Sequence, residues 1–370
     1  MRKKYPKVLG FSLFIIGLAM LLSCQREKET TGPEEPRPQG WIAMGLQNLQ
    51  VNRIKVIGDW VYTCTRVSGL LRSANNVAAE PDWHYLGLGL GVLPIEIGSF
   101  GLTDLVVLED TLLVSVNSGN FSPAVSGIYR SIDAGKTWVK SDFGFYADQY
   151  FEGTANVIRL IQSPQEPRYL LAACSGGPLT YLSKDFGRSW KLLFPNTSAI
   201  TFYAAAFHPL NFNEIWAGGH TSMGRPLLYR SIDQGTIWQE ILKWPYDAEV
   251  SDMVNDIVFE PYDGQPLYVC MNHFIITTTD AGQIWVTSDT LKTGLWNLDI
   301  NPHNVNELIA CSSKNLYQSN DGGYGWIVLT PAPTDLDMIN MAIDWDKRIL
   351  YVNTTEFRLD ISAGIFKLFF

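Results

Sequence analysis

An all-β chain built from small repeated antiparallel sheets is predicted by three observations: a turn motif that returns five times, a matching strand ahead of each copy, and chain ends that complement one another. The motif reads SIDAGKTW at 131–138, SKDFGRSW at 183–190, SIDQGTIW at 231–238, TTDAGQIW at 278–285 and SNDGGYGW at 319–326. Its frame is Ser/Thr-x-Asp-x-Gly-x-x-Trp. Copies return every ~40–60 residues, room for one small sheet and too little for an independent domain. The preceding strand occurs seven times, at 69–73, 127–131, 179–183, 227–231, 274–278, 315–319 and 364–368. The first unit carries a degenerate motif, with Ser73 and Asn75 in place before Trp83, and the last has none. Gly40-Trp41-Ile42 matches Gly325-Trp326-Ile327, so the amino-terminal stretch is expected to be the fourth strand of a sheet whose other strands lie within roughly 337–368. Pairing both ends in one sheet leaves no open edge to a ring. The expectation is a single seven-bladed β-propeller of four-stranded antiparallel blades over 41–370, the last blade closed by the amino-terminal strand.

Each position of the frame has a folding role. The Asp carboxylate can accept backbone N–H groups two or three residues on, and the Gly adopts positive φ without steric cost, which together close a hairpin. The Trp opens the next strand and buries a large ring beside the turn. The frame resembles the Asp-box, or BNR repeat, of sialidases, sortilin-type receptors, xyloglucan-cleaving glycoside hydrolases and photosystem assembly factors of the Ycf48 type. That resemblance implies a structural hairpin on the face away from the ligand site. Asp133, Trp138, Asp185, Trp190, Asp233, Trp238, Asp280, Trp285, Asp321 and Trp326 are therefore structural residues and not catalytic ones.

Composition fits such a fold: 46% of the 370 residues are hydrophobic and 18% charged, with 31 Gly and 12 Trp. The formal charge is −9, and removing Arg2, Lys3, Lys4 and Lys7 would make it −13, which opposes a nucleic-acid partner. A monomer is expected, with no cofactor and no metal. MRKKYPK followed by VLGFSLFIIGLAMLL has the shape of a secretory signal, too short for a membrane span. Leu21-Leu22-Ser23-Cys24 resembles the bacterial lipobox, which implies residues 1–23 as a lipoprotein signal peptide and a lipid on Cys24. Residues 24–40, charged and Pro-rich, read as a flexible tether. The resemblance implies an envelope protein anchored to a membrane, its globular part periplasmic or extracellular. Cys64, Cys174, Cys270 and Cys311 fall at equivalent places in different repeats, too far apart for bridges, and are expected to be buried thiols.

The innermost strands align at 51–57, 102–108, 156–161, 203–207, 254–259, 296–300 and 339–344. Strict alternation assigns Ile54, Leu105, Ile158, Ala205, Ile257, Leu298 and Met341 to the core. It turns Arg53, Asp104, Val157, Ala204, Asp256, Asn297 and Asn340, then Lys55, Arg159 and Asp299, to the other face. Charges there need water or partners. They either ring the mouth of a central channel or form a polar network that satisfies itself.

Connections expected opposite the Asp-boxes are long: 142–153 with Tyr150 and 243–253 with Trp244 and Tyr246 are loaded with aromatics and carboxylates, and 218–226 with His220 is polar. Rings beside hydrogen-bonding groups suit a polypeptide or glycan ligand. A sialidase-like site is not legible: Asn52 and Lys55 flank Arg53-Ile54 where that family has Phe/Tyr-Arg-Ile-Pro, and Arg72, Arg130 and Arg230 are repeat positions in third strands. A hydrolase would need paired carboxyls, for which Asp148 or Glu152 with Asp247, Glu249 or Asp252 are the candidates. No phosphate loop, HExxH, CxxC or GxSxG is present. The first reading is a membrane-tethered, non-catalytic binding module; the alternative is a glycan-active hydrolase.

Overall fold

The computed structural model describes residues 40–76, 80–87, 101–117, 126–145, 156–175, 180–193, 199–242, 252–288, 291, 294–356 and 361–370. Cys24 and the tether lie outside them. The described residues form 28 strands and no helix. They make five four-stranded antiparallel sheets and one of eight strands. In the larger sheet two four-stranded meanders, the third and fourth repeat units, are joined through the single pair Ser175–Thr201.

Each unit runs from an innermost strand outward. The second strand carries the core: residues 112–115, 170–174, 267–271 and 308–312 are buried on both faces. Covered from both sides, these strands read as continuous apolar runs, and each buried Leu or Val there contributes about 1.5–3 kcal/mol. Cys64, Cys174, Cys270 and Cys311 are free thiols inside these strands. The fourth strands are short and exposed, as Val139–Lys140, Gln239–Glu240 and Val286–Thr287 show, which limits the edge available for sheet extension.

Ile42–Ala43 pairs with the carboxy-terminal strand, Ile42 opposite Lys367 and Ala43 opposite Phe366. The innermost strand Val51–Ile57 touches both Gly101–Leu108 and Asp337–Asp344.

The repeated turns differ in two details from the sequence expectation. The Asp carboxylate accepts N–H groups three and four residues on, as Asp233 Oδ1 does from Thr236 N (3.0 Å) and Ile237 N (2.8 Å). The residue before the Gly is also left-handed, with φ of 58° at Ala134, 53° at Phe186, and 58° at Gln234 and Ala281. That kink lets its N–H reach the turn between the first two strands, for example Phe186 N to Arg168 O at 2.9 Å. The buried Ser closes the turn from inside: Ser131 Oγ accepts Gly135 N (2.8 Å) and donates to Asp133 Oδ1 (2.8 Å).

The same turns staple neighbouring units together. Trp138, Trp190 and Trp238 donate Nε1 to Leu86 O, Ser141 O and Leu193 O of the preceding unit at 2.9–3.0 Å. A Cβ on Gly187 would stand 1.9 Å from Leu113 Cδ2, and one on Gly282 2.4 Å from Ile241 Cγ2. Only a residue without a side chain permits this approach.

Candidate functional site: the channel mouth

All seven innermost strands carry a β-bulge at the same place, between Val51 and Arg53, Leu102 and Asp104, Val157 and Arg159, Phe202 and Ala204, Val254 and Asp256, Leu295 and Asn297, and Met338 and Asn340. A bulge inserts one residue and re-aims the chain. It corrects the strict alternation expected from sequence in the third unit. Val157 is fully buried and Ile158 is not, while Arg159 shares the position of Arg53 and Asp104. Arg53, Asp104, Arg159, Ala204, Asp256, Asn297 and Asn340 thus occupy one equivalent position, and Asp299 lies two residues further along its strand.

Much of this ring serves to join units. Asp104 Oδ2 accepts Leu160 N of the next unit (2.8 Å), Asp256 Oδ2 accepts Leu298 N (3.4 Å), and Asn340 Oδ1 accepts Ile54 N (3.2 Å). Asp104 Oδ1 also takes Leu105 N (2.8 Å) and the Lys55 ammonium (2.8 Å). Burial pushes the Asp104 carboxyl up, but Lys55 and Arg53 outweigh it and hold it below the usual range. Among the described residues Asp299 has no such cation. Burial, with the neighbouring Asp256 charge, raises its carboxyl to about 7 against the donor Trp345 Nε1 at 3.2 Å.

The extra residues of the bulges form a cup above this ring. Asn52, Ile158, Tyr203, Asn255, Trp296 and Ile339, with Met253, wall a cavity of about 350 Å³ onto which Arg53, Arg159 and Asn340 also open. The cup lies where the innermost strands begin. By strand order that is the face opposite the repeated Ser/Thr-x-Asp-x-Gly turns, which bond instead to the turns at the far ends of those strands. Arg159 is tied to Asp256 Oδ1 (3.3 Å) and Asn255 O (3.2 Å). Arg53 is held more loosely: it pairs with Asp104 Oδ1 at 3.8 Å from Nε, and that buried Nε has no hydrogen-bond acceptor among the described residues. Burial first, and Arg159 second, lower the Arg53 guanidinium to about 10.

His220, on the hairpin between second and third strands, stacks on Tyr203 with centroids 5.5 Å apart and planes 9° apart. Asp252, a sequence candidate for acid chemistry, is fully buried and accepts Met253 N (2.7 Å), Asn272 N (2.8 Å) and His273 Nδ1 (3.0 Å). It therefore shapes the segment that brings Met253 and Asn255 to the cup. Tyr150, Trp244, Tyr246, Asp148, Glu152, Asp247 and Glu249 lie outside the described residues. Among the described residues no group of three His, Cys, Asp or Glu side chains is placed to hold a metal.

Sequence reasoning missed Ile158, Tyr203, Met253, Trp296 and Ile339 as wall residues. A signal was present: Val51/Ile54, Leu102/Leu105, Val157/Leu160, Phe202/Ala205, Val254/Ile257, Leu295/Leu298 and Met338/Met341 are buried pairs spaced by three, where regular strands space them by two.

No protein-family description matches the chain, and neither does any curated protein. Solved structures do match. A GH74 xyloglucanase from Xanthomonas campestris superposes with a TM-score of 0.61 at 18% identity, over 86% of this chain and 54% of that one. A GH74 enzyme from Niastella koreensis gives 0.64 at 18% identity, over 89% and 53%. YCF48 bound to D1 peptide gives 0.59 at 14% identity, over 90% of this chain and 96% of that one. The fold is a β-propeller. The chain spans about half the length of the GH74 structures it matches, and these identities bear on the propeller fold alone.

Proposed function

We propose that the chain is a membrane-tethered, non-catalytic binding propeller that takes a polypeptide or glycan on the face opposite its Asp-box turns. In this reading seven blades close into one ring, the Ile42–Ala43 strand completing the last blade, and residues 1–23 and 24–40 are the signal peptide and tether ahead of a lipid at Cys24. The contact of Val51–Ile57 with both of its neighbouring innermost strands supports the ring. The observation that carries the function is the cup: an apolar, ring-bearing wall over two arginines, with the channel carboxylates Asp104 and Asp256 engaged by backbone N–H groups and cations.

A glycosidase needs one protonated carboxyl and one ionised partner free to act. Asp299 has the first property, but the nearby Asp256 is taken up by Arg159, Leu298 N and Ile257 N. The test is to probe peptide and glycan arrays with the full chain in mild detergent, beside an assay of sugar release from β-glucans and sialosides. Captured ligands lost in Trp296→Ala support the binding reading. Turnover abolished by Asp299→Asn overturns it. Mass spectrometry of the membrane fraction, with Cys24→Ser as the control, tests the anchor.

A further inference from the structure

We infer that the cup is a receptor for a carboxylate joined to an apolar body, with Arg53 as the anchoring cation; this rests on the binding reading above and names the ligand chemistry of the same site. Among the described residues Arg53 is the ring cation the protein compensates least: it keeps a 3.8 Å ion pair with Asp104 but no hydrogen bond to it. The oxygen of Asp104 nearest to it already accepts Lys55 Nζ and Leu105 N, both at 2.8 Å, and stands 3.8 Å away, beyond hydrogen-bonding reach. Arg53 Nε is buried with no acceptor among the described residues. A guanidinium with a buried Nε left without an acceptor is under-solvated, and an anion meeting the part of it that opens on the cup offsets that cost. Arg159 adds a second positive charge nearby, already directed by Asp256, so the floor of the cup attracts an anion without closing on itself.

Guanidinium and carboxylate match as planar two-point partners. The walls exclude a bare hydrated anion and call for an apolar body: Ile158, Tyr203, Met253, Trp296 and Ile339 offer aliphatic and aromatic surface, and Trp296 is fixed by its Nε1 bond to Ser313 Oγ (3.0 Å). At about 350 Å³ the cavity is at the small end of ligand sites, suited to one or two residues' worth of atoms rather than an oligosaccharide. Two sources carry this chemistry: a free aromatic or branched aliphatic acid, and the last residue of a polypeptide.

The test is calorimetric titration of the full chain in mild detergent with four probes: N-acetylphenylalanine, its amide, an octapeptide ending in phenylalanine with a free carboxylate, and the same peptide amidated. Loss of a hydrogen bond to a charged group predicts acids that bind at least about tenfold more tightly than amides. Arg53→Gln is expected to abolish that preference, and Trp296→Ala to weaken acid and amide alike. A peptide acid at least about tenfold tighter than the free amino acid derivative identifies a chain terminus as the ligand; equal affinities identify the small acid. Acid and amide binding equally overturns the inference, and this comparison needs no variant. If array ligands are captured through Trp296 while neither acid binds, the inference fails and the binding reading stands. If nothing is captured, the binding reading fails.

Discussion

The two faces of this propeller use repetition in opposite ways. On the face of the repeated turns Asp133, Asp185, Asp233, Asp280 and Asp321 sit at one position, are one residue type, and bond within their own turns. At the channel mouth Arg53, Asp104, Arg159, Ala204, Asp256, Asn297 and Asn340 also share one position, yet no single type fills it, and several bond to the next unit. Where every unit faces the same folding problem it keeps the same answer. Where the position converges on one axis, each unit contributes something different.

The sharpest test of this contrast is at Asp104. Asp104→Leu removes an acceptor shared by two backbone N–H groups and strands Lys55 and Arg53 in the channel wall, with an expected loss of about 3–5 kcal/mol in urea unfolding. The next largest effect is expected where the turn abuts its neighbour: Gly187→Ala forces a Cβ into the fully buried Leu113 at φ +75° and should cost about 1–3 kcal/mol. Gly322→Ala, with φ +77° but no atom nearer than 3.5 Å, should cost about 1 kcal/mol.

Asp299 separates the faces by pH. Its folded carboxyl titrates at about 7, above the unfolded value of about 4, so the folded state binds the extra proton and stability falls as pH rises from 4 to 7. Asp299→Asn, keeping an acceptor for Trp345 and removing the charge beside Asp256, should flatten that slope. Thermal melts at pH 8 should show a gain on the order of 1–3 kcal/mol over the parent, and melts below pH 4 should show none. The smallest effect is expected at Asp321→Asn, an exposed carboxylate whose held-down titration reflects turn N–H bonds first and Ser319 next. A loss there as large as that at Asp104 would erase the contrast between the faces.

The fold was legible because its cues are local and repeated. Ser131, Asp133, Gly135 and Trp138 lie within eight residues and recur in register, and Gly40-Trp41-Ile42 matches a known fourth strand. The polar ring was legible as residue types, since charged side chains inside apolar strands stand out. Its partners were not, because Asp104 meets Leu160 and Asn340 meets Ile54 across 56 and 286 residues. The cup was hidden for a different reason. Each bulge shifts alternation by one residue, so Tyr203 and Trp296 pass for ordinary strand residues until two neighbouring buried positions are seen to be three apart. The left-handed Phe186 and Gln234 were likewise invisible, because neither residue type announces positive φ.

The Ile42–Ala43 strand is held to the carboxy-terminal strand by a very small clasp. Two register pairs at Ile42 and Ala43, the exchange of N–H and carbonyl bonds between Met44–Gly45 and Ile365, and the indole bonds of Trp41 to Pro331 and Trp83 to Met44 hold it shut. A pull on the amino-terminal side would peel these bonds in sequence, leaving the stapled turns of the other units unloaded. Tension would therefore unzip this seam first, while the mouth residues of the remaining units kept their places.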